Sequence, residues 1–283
     1  MQAITTQIDI REAVQTAKTN DIKVGFVPTM GALHHGHLSL IDYALGHCDL
    51  IVVSIFVNPT QFNNTQDLEK YPRTLEADLA LLAPYKKNII VYAPTAKTVY
   101  NGQITSKEYH FGALEEIMEG EHRPGHFDGV GTVLNLLFRQ VNPDIAFFGE
   151  KDFQQLMIVE KLVQKEKLAL EVIGCPIYRQ KDGLAMSSRN ARLTHQQLSI
   201  APFIFQVLLQ VKYDFSTKSA SQLKRWVVEQ FKSQEGLKLE YFEIANIDGL
   251  RPLSRKRNHQ KYRAFLAVYA GDIRLIDNIA LNY

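Results

Sequence analysis

Five short apolar runs, at residues 22–27, 50–57, 89–93, 145–148 and 172–175, constrain this chain more than anything else in it. They are apolar at successive positions rather than alternate ones, so they read as strands buried on both faces. Strands of that kind belong to parallel sheets covered by helices. The stretches between them, 38–45, 75–82, 130–139 and 153–163, have helical length and apolar spacing. Strand and helix in alternation predict a doubly wound, Rossmann-like α/β domain over residues 1–180. After about Gly183 the pattern changes to helical stretches at 194–213 and 219–235, then strand-like runs at 239–245, 262–269 and 273–279. Residues 181–283 therefore read as a smaller α+β lid domain. The connection at 179–190, with its polar run MSSRN, is either a hinge carrying catalytic groups or a plain loop.

Composition removes several classes of function. The 283 residues are 46% apolar and carry a formal charge of +2 with both signs interspersed, which gives no broad footprint for nucleic acid or an anionic membrane. The local basic run RPLSRKR at 251–257 reads as a solvated loop. No apolar run approaches the ~20 residues that span a bilayer. Asp9, Arg11 and Glu12 interrupt any signal-peptide core, so a cytoplasmic protein is expected. Cys48 and Cys175 lie in no CxxC or Cys/His array and read as reduced, buried thiols.

Open sheets bind ligands beyond the carboxyl ends of their strands, and the chemistry-bearing residues fall there. After the first run the chain reads VPTMGALHHGH. Pro28 is expected to end the strand, and Thr29, Met30 and Gly31 to form the bend. His34 and His37, three apart, would share a face if a helix opens there, beside the N–H groups and positive dipole end that attract phosphate. Gly36 would let a flat base or a phosphate approach the backbone. A metal site lacks further ligands at a recognisable spacing, and ordinary surface histidines are the plain alternative.

Four further segments carry candidates. In GEKDFQQL, Lys151 and Gln155 are spaced to share a helical face, and Lys151 can neutralise phosphate as a point charge. MSSRN places the Ser187 and Ser188 hydroxyls beside the Arg189 guanidinium, a compact donor set for a polyphosphate leaving group. SIFVNPTQF presents Asn58 and Gln61, neutral amides suited to a hydroxylated small acid, and RPGHFDGV adds Arg123 and His126 at a turn. Each could equally be a loop with incidental polarity. No GxxxxGK[ST], complete GxGxxG or GxSxG is present.

Taken in order, TMGALHHGH, SIFVNPTQF, YPRTLEADL, RPGHFDGV, GEKDFQQL and DGLAMSSRN closely resemble the pantothenate synthetase family of pantoate and β-alanine ligases, with an echo in the C-terminal GDIRLIDN. The first and last also resemble the HIGH and KMSKS signatures of class I aminoacyl-tRNA synthetases, with Arg189 taking over charge that lysine carries there. The resemblance implies ATP-dependent condensation through pantoyl adenylate to pantothenate, AMP and pyrophosphate, with Mg²⁺ on the phosphates and a homodimeric assembly. It implies catalytic roles for His34, His37, Lys151, Ser187, Ser188 and Arg189, with an acid role for His37. It places Gln61 and Gln155 against pantoate, Gln61 also near β-alanine, with Asn58, Arg123 and His126 as further, second-rank substrate-binding candidates.

The ATP site it implies runs along Met30, Gly31, Ala32, Leu33, His34, His35, Gly36 and His37. Gly149, Glu150, Lys151 and Asp152 join it, as do Tyr178, Met186, Ser187, Ser188 and Arg189. Two departures stand out: NNTQDLEK after Phe62 lacks a Gly-Pro common in the family, and Tyr178 replaces a usual aliphatic residue. A nucleotidyltransferase of the same superfamily and an inactive ATP-binding module are the competing readings.

Overall fold

The computed structural model describes residues 2–281. The five apolar runs become β1 (Val24–Thr29), β2 (Leu50–Ile55), β3 (Ile89–Tyr92), β4 (Ile145–Gly149) and β5 (Glu171–Cys175). They form one parallel sheet of order β3-β2-β1-β4-β5. Winding proceeds outward from β1 in both directions, so right-handed crossovers put helices on both faces and the topological switch lies between β1 and β4. Val27, Ile51 and Val53 pack with Ile41 and Ala44 of helix His35–Leu45 and Leu82 of helix Leu75–Leu82. Phe26 points to the other face and meets Phe138 of helix His126–Val141, ring centroids 6.1 Å apart. That alternation is why the runs are apolar at every position.

Pro28 does not end its strand. It sits inside β1, paired in register with Ser54 of β2. Thr29 and Lys23 offer their carbonyls towards the β2 side and Val24 towards the β4 side, so the missing N–H of Pro28 faces β4, whose pairing with β1 has already stopped at Phe26 and Ala146. The tolerated place for a proline is a strand side without a ladder. The helix Gln7–Thr19 was not announced by apolar periodicity: it buries only Ile10, Val14 and Ala17 and is started by the Thr6 hydroxyl, which accepts from the Asp9 N–H.

Packing divides the chain into two compact units. The first contains the chain up to Glu150 together with Gln154–Pro176, and the second contains Lys151–Phe153 together with the chain from Ile177 onward. The second unit has an antiparallel sheet of β6 (Lys238–Asn246), β7 (Tyr262–Ala270) and β8 (Ile273–Leu281), in that order. Helices Phe203–Asp214 and Ala220–Ser233 bury Val207, Leu208, Val211, Leu223 and Val227 with Phe242, Ile244, Ala264 and Leu266. The helix expected over 194–213 is broken into His195–Ile200 and Phe203–Asp214, with Pro202 between them, which has no N–H to continue the ladder.

Both cysteines are buried and free. Burial pushes the Cys48 thiol up to about 11 and the Cys175 thiol up to about 12, so neither offers a thiolate at neutral pH. Among the described residues no helix is long and apolar enough to cross a membrane.

Candidate active site

Beyond β1 the chain turns through Gly31 (φ 78°) and Ala32 (φ 47°), two consecutive left-handed residues of which only the glycine is at ease there. The turn is held from helix Leu75–Leu82 by Asp78, which is 2% exposed. Its Oδ2 accepts from the Ala32 N–H at 3.0 Å and its Oδ1 from the Leu33 N–H at 2.8 Å. Thr29 adds a third tie: its hydroxyl donates to the Ser54 carbonyl at 2.7 Å and accepts from the Gly31 N–H at 3.1 Å. A strained backbone persists where its surroundings over-determine it, and these ties do so.

The histidines follow directly. His37 lies in the first turn of helix His35–Leu45, whereas His34 is its extended N-cap residue (φ −147°), so the two do not both belong to one helical face as the spacing suggested. They meet nonetheless, with ring centroids 4.1 Å apart. The Gly36 N–H donates to His34 Nδ1 at 3.1 Å and the His34 N–H donates to His37 Nδ1 at 3.2 Å. This is a capping box built from imidazoles. With each Nδ1 accepting, the neutral rings carry their protons on Nε2, so what each presents away from the helix start is a donor. His35 is exposed.

A second knot forms around Gln61, at the end of the 3-10 turn Pro59–Gln61 after β2. Asn58, 1% exposed, donates from Nδ2 to Gln61 Oε1 at 3.1 Å and to the Gly129 carbonyl at 3.2 Å. Its Oδ1 accepts from the Tyr100 hydroxyl at 2.5 Å. His126, also buried, lies 2.8 Å through Nδ1 from the Gln61 carbonyl, so Nδ1 is here the donor, and Arg123 reaches the same carbonyl at 3.5 Å. Gln61 Nε2 lies 3.0 Å from Met30 Sδ, which joins this knot to the turn after β1. Gly129 permits the close approach of its helix: a Cβ there would stand 2.3 Å from the Thr60 carbonyl oxygen. Gln155 is half-buried, whereas its neighbour Gln154 is spent internally on the carbonyls of Leu114 and Ile117.

In the second unit, Tyr178 and Met186 face each other across a hairpin, the Met186 N–H donating to the Tyr178 carbonyl at 3.0 Å. Its turn needs Gly183 (φ 95°), where a Cβ would stand 2.4 Å from the Phe205 ring. Tyr178 is 41% exposed. Ser187 then caps the 3-10 turn Ser188–Arg192, its hydroxyl accepting from the Arg189 N–H at 3.3 Å, and Ser188 and Arg189 are half-buried. Lys151 lies in the 3-10 turn Glu150–Asp152, ahead of helix Phe153–Lys165, so the one-face spacing expected with Gln155 does not govern it. Its ammonium is 3.7 Å from Asp152 Oδ2 and its side chain is 18% exposed.

Asp78, Tyr100 and Gly129 were not singled out as site residues. Asp78 was within reach, inside YPRTLEADL, but only the fold shows that it anchors Ala32 and Leu33, 46 and 45 positions away. Among the described residues no three His, Cys, Asp or Glu side chains are grouped to hold a metal ion.

Known proteins supply the remaining findings. The family model described as Pantoate-beta-alanine ligase matches residues 2–280. A pantothenate synthetase of Christiangramia forsetii is 53% identical over 271 residues, 96% of each chain. The crystal structure of pantothenate synthetase from Thermus thermophilus is similar with a TM-score of 0.90, at 36% identity and 99% coverage of both chains. The pantoate-beta-alanine ligase of Francisella tularensis, complexed with beta-gamma ATP and beta-alanine, is similar with a TM-score of 0.81 at 35% identity, over 99% of this chain and 98% of that one.

Proposed function

This chain belongs to the pantoate–β-alanine ligase family, and from that premise we propose how its residues share the reaction. It is an AMP-forming acid–amine ligase: pantoate and ATP give pantoyl adenylate and pyrophosphate, and β-alanine then displaces AMP to give pantothenate. The pantoate carboxylate is already ionised at neutral pH and attacks the α-phosphorus without a base. The first step therefore needs alignment and donors for the charge that develops on the phosphates. His34, His37, Lys151, Ser187, Ser188 and Arg189 are assigned that work.

The observation that carries the reading is the reciprocal histidine cap. Because both Nδ1 atoms accept main-chain N–H groups, both imidazoles are donors at a helix start, suited to phosphate rather than to proton abstraction. The resemblance adds an acid role for His37, whose Nε2–H donates a hydrogen bond toward the phosphate in this tautomer. The turn Met30–Leu33, His35, Gly36, Gly149, Glu150, Asp152, Tyr178 and Met186 are read as the remaining ATP contacts. In the second step the β-alanine ammonium loses a proton before its nitrogen attacks the acyl carbon.

Gln61 and Gln155 are assigned to pantoate. Asn58, Arg123 and His126 act through Gln61, since their polar atoms are directed at its amide and carbonyl. Mg²⁺ is read as arriving on the nucleotide, because it commonly keeps phosphate oxygens and waters with one or two carboxylates. Asp152, 47% exposed beside Lys151, is a carboxylate suited to one such place. Bound there, the ion would neutralise phosphate charge. Family likeness extends the proposal to a homodimer working in the cytoplasm.

The test follows pyrophosphate and amide separately. Pyrophosphate should appear with ATP and pantoate alone, and pantothenate only after β-alanine is added. Cleavage of ATP to ADP would overturn the scheme, and a stable adenylate that never forms amide would favour a nucleotidyltransferase. In the same assay Gln61→Ala is expected to raise the pantoate KM by roughly tenfold or more, the cost of one or two lost hydrogen bonds, with a smaller change for ATP. An unchanged pantoate KM would remove Gln61 from the pocket.

A further inference from the structure

The C-terminal run GDIRLIDN has no part in the mechanism above, yet its last two residues are buried polar groups on consecutive positions of β8: Asp277 is 4% exposed and Asn278 1%. On one strand they must point to opposite faces. Asp277 lies on the side of Ile273, Leu275 and Leu281, the face packed by helices, where Arg179 grips it with two bonds of 2.6 and 2.8 Å. Asn278 lies on the opposite face with Phe265, its register partner on β7, and Arg263, one step along the same side. That face is covered locally by Lys151–Phe153. The Phe153 ring stands 6.0 Å from that of Phe265 and 4.1 Å from the Arg263 guanidinium carbon.

Within this cluster the Asn278 side-chain amide is used at both ends. Its Oδ1 accepts from the Arg263 guanidinium, which orients the amide so that Nδ2 points away. Nδ2 donates to the main-chain carbonyl of Lys151 at 2.8 Å. Its own backbone is tied down as well, since Arg179 donates to the Asn278 carbonyl at 3.2 Å. The donor is essential: an arginine cannot accept and a carbonyl cannot donate, so only a side chain with an acceptor at one end and a donor at the other can link Arg263 to Lys151.

We propose that Asn278, oriented by Arg263, is a positioning residue for adenylation: it fixes the peptide that carries Lys151 and thereby where the Lys151 ammonium stands. The inference rests on the assignment of Lys151 to the phosphates. A displacement of about 1 Å in a reacting group costs on the order of 10²-fold in rate, which sets the scale of the effect.

Asn278→Asp is the discriminating substitution. It keeps the shape and the acceptor for Arg263, but turns the donor to Lys151 into a carboxylate oxygen that the Lys151 carbonyl repels. The experiment measures single-turnover pyrophosphate formation with saturating pantoate and ATP for wild type, Asn278→Asp, Lys151→Ala and the double variant, with thermal unfolding of each. Asn278→Asp should slow the step by roughly 10- to 100-fold with the pantoate KM unchanged, and should add almost nothing in the Lys151→Ala background. A wild-type rate for Asn278→Asp beside a slow Lys151→Ala would overturn the positioning role. So would an Asn278→Asp effect that multiplies fully with Lys151→Ala. A wild-type rate for Lys151→Ala would instead refute the assignment of Lys151 itself. Should Asn278→Asp fail to fold, Asn278→Ser takes its place in the same cycle, with the same non-additivity deciding the outcome.

Discussion

Lys151→Ala is expected to slow adenylate formation by about 10² or more while leaving the fold and its thermal midpoint nearly unchanged. The asymmetry follows from what the side chain does in the free protein. Its ammonium stands 3.7 Å from the carboxylate of Asp152, a surface-facing partner. An ion pair of that kind contributes about 0–1 kcal/mol. The contact that organises this turn is made by the Lys151 carbonyl, which alanine retains. In the proposed assignment the ammonium acts in the transition state, where negative charge accumulates on the transferring and leaving phosphates. Loss should therefore appear in the rate of pyrophosphate release with saturating substrates more than in the ATP KM. Lys151→Arg separates charge from position: guanidinium keeps the charge but not the compact ammonium geometry, so partial activity is expected. A wild-type rate for Lys151→Ala would remove the residue from the site.

Much of the fold was legible because both-face burial leaves a plain trace: each of the five apolar runs is a strand, and each long apolar-periodic stretch contains a helix. The misreadings come from rules that depend on tertiary surroundings. Pro28 ends a strand only if a neighbour needs its N–H, and β4 stops before that point. Helix Gln7–Thr19 needs just three buried residues, too few to stand out as a period. The residues assigned to the ligands in the proposed site are polar groups after strand ends, a pattern the sequence displays. It does not display which residues hold them. Asn58 and His126 looked like substrate contacts because an amide and an imidazole after a strand look the same whether they face a ligand or a carbonyl, and only the structure shows both turned onto Gln61. Asn278 was hidden for the opposite reason. A polar residue late in a β-strand carries no local sign that the turn after another strand lies over it.

Asp78 is the strongest case of a supporting residue with a large expected effect. Asp78→Ala should lower stability by about 3 kcal/mol or more, because two main-chain N–H groups lose a charged acceptor at once, and a charge-assisted hydrogen bond contributes roughly 1.5–3 kcal/mol. It should also raise the ATP KM, since those N–H groups belong to Ala32 and Leu33, the residues that carry the left-handed turn into the histidine cap. Ala32 holds a conformation that alanine disfavours by about 1–2 kcal/mol. Without the carboxylate the turn can relax, and the start of helix His35–Leu45 would shift with it. Asp78→Asn is the informative companion. An amide has one acceptor oxygen and directs its NH₂ at the second N–H, so it should satisfy one of the two groups and oppose the other. The asparagine variant is expected to fall between wild type and alanine in both denaturant midpoint and ATP KM. If Asp78→Ala unfolds at the wild-type denaturant concentration, the carboxylate is not what restrains this turn. If it is less stable but keeps the wild-type ATP KM, the turn after β1 does not depend on the strain Asp78 holds, and the link from that carboxylate to the histidine cap fails.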